Sequence, residues 1–129
     1  MLEIGIKKTL ELTVTDADTA ATVGSGLLPV FATPRMIALM EQTASEAVAP
    51  YLEEGQTTVG TLLNVRHLAA TPVGMKVFCA AELTEIDRKR LVFTVTASDE
   101  CGPIGEGTHE RFIVDGEKFL AKTQAKLEK

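Results

Sequence analysis

The stretch VFATPRMIALMEQTASEAVAP, Val30 to Pro50, decides the fold of this chain. Thr33-Pro34 is a helix start with a mechanism. A threonine hydroxyl at the N-cap accepts a backbone N–H, and proline at the first helical position gives up no donor that is needed. The spacing predicts a helix from Thr33 to about Ala49, with Pro50 and Gly55 bracketing the turn that follows. At 100° per residue, Arg35, Gln42 and Glu46 share a polar side, while Ile37, Ala38, Ala44, Ser45 and Val48 gather on another. Glu41 falls in the second group and interrupts it.

Outward from this helix the pattern has period two. Leu10, Leu12 and Val14 alternate with Thr9, Glu11 and Thr13, which predicts a first strand. Asp16 to Pro29, rich in Asp, Ala, Thr, Gly and Ser with Gly24-Ser25-Gly26 near its centre, reads as a loop. From Val59 the odd positions Val59, Thr61, Leu63, Val65, His67 and Ala69 form the more apolar face of a strand. Lys76 to Ile86, Arg90 to Ser98 (Leu91, Phe93, Val95 and Ala97 inward) and Ile104 to Val114 are further strands, joined by tight turns. The segment from Glu117 onward reads as a short strand or a frayed tail. One strand, one long helix and four antiparallel strands give an α+β architecture, a sheet wrapped around one central helix, in a single domain over residues 1–129.

Composition narrows the function. With 129 residues, 45% hydrophobic and 24% charged, the chain is an ordinary globular domain with no room for separate cofactor and substrate domains. A net charge of −5 and scattered basic residues argue against a nucleic-acid partner. The one basic cluster, Arg88-Lys89-Arg90, lies between two strands, where it is a solvated turn or a surface for an anionic ligand. Cys79 and Cys101 lack a disulfide-rich setting and read as reduced thiols. The N-terminus has no signal-peptide pattern and no apolar run is long enough to span a bilayer, so the expected location is cytoplasmic, without membrane contact. The histidines and cysteines show no recognised metal spacing, and no glycine-rich nucleotide loop is present, so neither a metal nor a cofactor is expected.

Three side chains between Val30 and Ala70 are candidates for chemistry, each beside a plainer alternative. Thr33 is a helix cap, or a hydroxyl beside a carbonyl polarised by the helix N-terminus. Glu41 reaches solvent or pairs with an arginine, or it is a general base or nucleophile. His67 is a satisfied core histidine, or it converges with Glu41 on one apolar pocket, the arrangement acid–base catalysis needs. His109, in Gly107-Thr108-His109-Glu110-Arg111, reads as structural or interfacial. Gly60, early in an apolar strand, marks a bulge or a close approach of backbone or ligand.

The run Val30 to Glu41, with Ala49-Pro50-Tyr51-Leu52, Gly60-Thr61, His67, Ala69-Ala70-Thr71-Pro72 and Gly107 to Arg111, resembles the hotdog-fold thioesterases of the fluoroacetyl-CoA thioesterase type. The resemblance implies an acyl-CoA thioesterase with Thr33, Glu41 and His67 as the catalytic set. It also implies that Gly60 helps place the thioester through its backbone. Pro34 and Met36 are expected at the substrate, and a short acyl group follows from Met36, Met40 and the small helix residues. It further implies a homodimer with active sites at the subunit interface, with coenzyme A entering only as part of the substrate. The family's fluoroacetate-resistance enzyme has phenylalanines over the acyl group, whereas Asp18 to Pro29 of this chain has no aromatic residue. The alternatives are an acyl-CoA or acyl-carrier binding module without hydrolysis, and an enoyl-CoA hydratase of the same fold.

Overall fold

The computed structural model describes residues 1–128. Strand β1 (Lys7–Thr13) leads through a 3-10 turn (Asp16–Asp18) and a single helical turn α1 (Ala20–Val23) to the long helix α2 (Thr33–Val48). Strands β2 (Gln56–His67), β3 (Lys76–Asp87), β4 (Arg90–Asp99) and β5 (Gly102–Asp115) follow, then a C-terminal helix α3 (Gly116–Gln124). The five strands form one antiparallel sheet in the order β1-β3-β4-β5-β2, and α2 packs across it against β3, β1, β4 and β2. This is the wrapped-helix arrangement expected from the strand and helix periods.

The core is the layer between α2 and the sheet. Met36, Leu39, Met40, Ala44 and Val48 of the helix meet Val77, Cys79, Ala81 and Leu83 of β3 and Leu91, Phe93 and Val95 of β4. The alternation in β3 and β4 is the period-two pattern of the sequence, with the inward residues of β4 as predicted. On α2 the buried face is Met36, Leu39, Met40, Thr43, Ala44, Ala47 and Val48. Ile37, Ala38, Glu41 and Ser45 therefore lie at its margin, not in its centre as the helical wheel predicted. The physical reason is that Thr43 joins the core: its hydroxyl donates to the Leu39 carbonyl at 2.7 Å, so its polar atom is satisfied within the helix.

Three further differences from the sequence reading matter for the site. First, the bulge that Gly60 allowed is present, between Gly60 and Leu62, and it upsets the unbroken odd-position face expected of β2. The extra residue reverses the alternation. Gly60 opposes Arg111, whereas beyond the bulge Leu63 opposes His109 and His67 opposes Gly105. The odd face thus holds for Leu63, Val65 and His67 but not for Val59. Second, the 16–29 segment is not all loop. Thr19 caps α1 by accepting from the Thr22 N–H, and Asp18 anchors the segment with Arg35 of α2 at 3.0 Å. Third, the lysine-rich end is helical, because Asp115 accepts from the Lys118 N–H and starts α3.

The basic cluster is a two-residue hairpin turn with Arg88 at φ 60°. Arg90 is committed to Glu85 and Glu110.

Candidate active site

Thr33 does not cap its helix. The N-cap is Ala32, which has no side chain to close the helix start. The Thr33 hydroxyl instead lies 2.7 Å from Nδ1 of His67, at the end of β2. Sequence reasoning missed this use of the hydroxyl because a cap is a local pattern, whereas the bond to His67 joins residues far apart in the chain. Burial pulls the His67 imidazole below its ordinary value of 6.5, opposed only in part by the Ala69 backbone. The other ring nitrogen, Nε2, is buried with no hydrogen-bond partner. Hydroxyl and imidazole thus form a hydrogen-bonded pair that joins the start of α2 to the end of β2.

This pair opens on a cavity of about 320 Å³, walled by Ala20, Ser25, Val30 and Phe31 on one side and Leu68, Ala69 and Ala70 on the other. The space has mainly apolar walls and lies at the positive end of α2. Pro34 is exposed beside it, and Met36 is fully buried with its sulfur against Gly105. Met36 is therefore part of the core packing and not of this cavity's wall.

Glu41 sits elsewhere. Eight residues of helix rise put it about 12 Å along the axis from Thr33, so within one chain it does not join Thr33 and His67. Its carboxylate lies over Gly60, 3.5 Å from Arg111 Nη1, with its side chain 39% exposed. The pairing with an arginine, the plainer of the two sequence readings, is realised here. Arg111 is buried, as is His109, which stacks on Phe93 with ring centroids 6.1 Å apart. Burial, ahead of every other influence, pushes both the His109 imidazole and the Arg111 guanidinium below their ordinary values.

Arg111 was not singled out from the sequence, and His109 was not placed in the core. Polar residues at positions 106, 108, 109, 110 and 111 conceal the alternation. The signal that would have found them is Ile113, since positions 105, 107, 109, 111 and 113 share the helix-facing side.

A family profile described as fluoroacetyl-CoA-specific thioesterase (FlK) matches residues 14–117. A fluoroacetyl-CoA thioesterase from Streptantibioticus cattleyicolor is 47% identical over 97 residues, spanning 75% of this chain and 70% of that protein. A crystal structure of a fluoroacetyl-CoA thioesterase superposes with a TM-score of 0.93 at 38% identity, covering 98% of both chains. A thioesterase-superfamily protein of Thermus thermophilus superposes at 0.91 with 31% identity, covering 99% of this chain and 95% of its own. Sequence and fold agree over most of the length, and the chain belongs to the fluoroacetyl-CoA-specific thioesterase family of hotdog-fold thioester hydrolases.

Proposed function

We propose that this protein hydrolyses a short-chain acyl-CoA thioester to the free acid and coenzyme A, working as a homodimer with Thr33, Glu41 and His67 as its catalytic set. The observation that carries this reading is the Thr33–His67 pair at 2.7 Å, at the open N-terminus of α2 and beside a small cavity. The helix end and the Gly60 backbone polarise the carbonyl, and Thr33 hydrogen-bonds the reacting group. Glu41 attacks the carbonyl carbon directly or draws a proton from the water that does. On the water route the proton taken by Glu41 passes by way of His67 to the departing sulfur as the C–S bond breaks; on the direct route coenzyme A leaves as the thiolate, and water then cleaves the Glu41 acyl anhydride, its protons going to the thiolate and to solvent, so that on either route water supplies the oxygen of the released acid. No cofactor takes part, since coenzyme A is the leaving group.

Dimerisation is part of the proposal because the single chain separates Glu41 from the other two. Strand β2 is an edge strand of 12 residues with a free side, and the helix margin at Ile37, Ala38, Glu41 and Ser45 is only partly covered. A two-fold axis beside β2 would run the two helices in opposite directions and bring the Glu41 region of one copy towards the Thr33 end of the other. The acyl group is short in this reading. Fluoroacetyl specificity is not part of it: Asp18 to Pro29 carries no aromatic side chain, and Leu27 and Leu28 there are exposed. No helix among the described residues is long and apolar enough to cross a membrane. The two unpaired cysteines support a reducing, cytoplasmic location.

The test is thiol release from acyl-CoA esters of increasing chain length, with wild type and Glu41→Ala in parallel. Turnover on short esters that Glu41→Ala abolishes in a folded protein is the expected result. Binding without thiol release would replace hydrolysis by a binding module. Reversible addition of water to an enoyl-CoA would replace it by a hydratase.

A further inference from the structure

The cluster behind Glu41 does work that the reading above leaves unassigned. Arg111 Nε donates to Thr58 Oγ1 at 2.8 Å and its Nη2 donates to the Thr58 carbonyl at 2.9 Å. Nη1 reaches His109 Nε2 at 3.2 Å and Glu41 Oε2 at 3.5 Å. A guanidinium only donates, so His109 Nε2 is the acceptor of that contact and the imidazole proton sits on Nδ1. Nδ1 is 2.8 Å from the Leu62 carbonyl, which accepts it. The bulge at Gly60–Leu62 thus bears on the His109 tautomer, because it sets where the Leu62 carbonyl lies.

Three neutral acceptors fix the plane of the guanidinium, and the remaining direction points to Glu41. Among the described residues Glu41 is the one carboxylate paired with Arg111. Gly60 completes the arrangement from the opposite strand. A Cβ there would overlap Glu41 Oε2 and would crowd His109 Cε1 at 3.3 Å and Arg111 Nη1 at 3.4 Å. The absent side chain is the slot in which the carboxylate lies.

We propose that Arg111 is a positioning residue that, held by Thr58 and His109, fixes the Glu41 carboxylate in one orientation over the slot left by Gly60. Its kinetic consequences rest on the thioesterase reading; the geometric part does not. The experiment combines Gly60→Ala, Arg111→Lys and Arg111→Ala with kinetics on the best ester of the chain-length panel. Displacing the carboxylate by about an ångström lowers kcat by up to about 100-fold, with KM little changed. Added guanidinium restores part of the activity of Arg111→Ala and none to Gly60→Ala. Gly60→Ala and Arg111→Lys combined lose less than the product of their separate losses, because both displace the same carboxylate.

Independent, multiplicative losses in the Gly60 and Arg111 variants would overturn the proposal. So would a raised KM at unchanged kcat. A second readout stands apart from turnover: the carboxyl 13C resonance of Glu41 in glutamate-labelled protein, assigned by Glu41→Gln. Gly60→Ala and Arg111→Lys are expected to move it, and an unmoved resonance in folded variants would refute the positioning role. If Arg111→Ala does not fold, these two variants decide the matter. If wild type releases no thiol, the thioesterase reading fails while the resonance still tests the inference.

Discussion

Thr33→Val keeps the branched shape of the side chain and removes the hydroxyl 2.7 Å from His67 Nδ1. Two roles for Thr33 give different outcomes. An N-cap hydroxyl contributes about 0.5–2 kcal/mol of stability, but Thr33 makes no cap bond and is exposed, and the cap position belongs to Ala32. The expected stability loss is that of one exposed hydrogen bond, about 0.5–1 kcal/mol. For a domain of this size that lowers Tm by roughly 2–5 °C. The catalytic loss is expected to be larger, since a positioned proton-transfer pair is worth about 10²- to 10⁴-fold in rate. That range is about 2.7–5.4 kcal/mol of barrier. The assay is kcat by thiol release beside thermal unfolding, with Thr33→Ser as the variant that keeps the hydroxyl and retains most of the rate. A valine variant that melts many degrees lower yet turns over normally would refute the reasoning, leaving Thr33 a structural residue.

Acid should destabilise the fold through its two histidines. Burial holds both His67 and His109 below the ordinary 6.5. Between their folded values and 6.5 the unfolded chain binds more protons, so stability rises with pH through that window and is lost as pH falls below 6.5. Urea midpoints between pH 5 and 7 should show this slope, and a His67→Gln, His109→Gln variant should flatten it; an unchanged slope contradicts the assignment. Gly107→Ala is expected to lose about 1–3 kcal/mol by overpacking, because its Cβ would overlap the Asn64 carbonyl oxygen and fall 2.5 Å from Val65 Cα, both backbone atoms of the paired strand. Gly116→Ala, whose nearest neighbour is 3.6 Å away, should show no loss in the same denaturation assay. Asp18→Asn weakens the anchor of the pre-helix segment. Burial pushes the Asp18 carboxyl up, but bonds from Thr15 and Arg35 outweigh it and hold the group below the carboxylate range. Its contribution is present at neutral pH and lost as pH falls through that lowered value. Faster amide exchange in Ala20–Val23 at neutral pH, with wild type converging on the variant in acid, is the expected signature.

The sequence by itself determined the elements and their order. Alternation at Leu91, Phe93, Val95 and Ala97, and the Thr-Pro start of the long apolar helix, are local patterns that follow from burying one face of a strand or helix. They sufficed for a sheet wrapped around a helix. Thr33, Glu41 and His67 were legible as candidates because each is a polar group where a plain core pattern does not want one. The tertiary structure alone decided what they touch. Gly60 allowed a bulge, but only the strand pairing shows that one is present and that it changes which residues of β2 face the helix. Pairing then sets Gly60 opposite Arg111 and buries an arginine and a histidine whose neighbours in sequence look solvent-facing. The same pairing turns the Thr33 hydroxyl from a cap into a partner of His67 and leaves Glu41 about two helical turns away. Elements are fixed by neighbours in sequence, whereas a site is fixed by register and by packing between residues far apart in the chain.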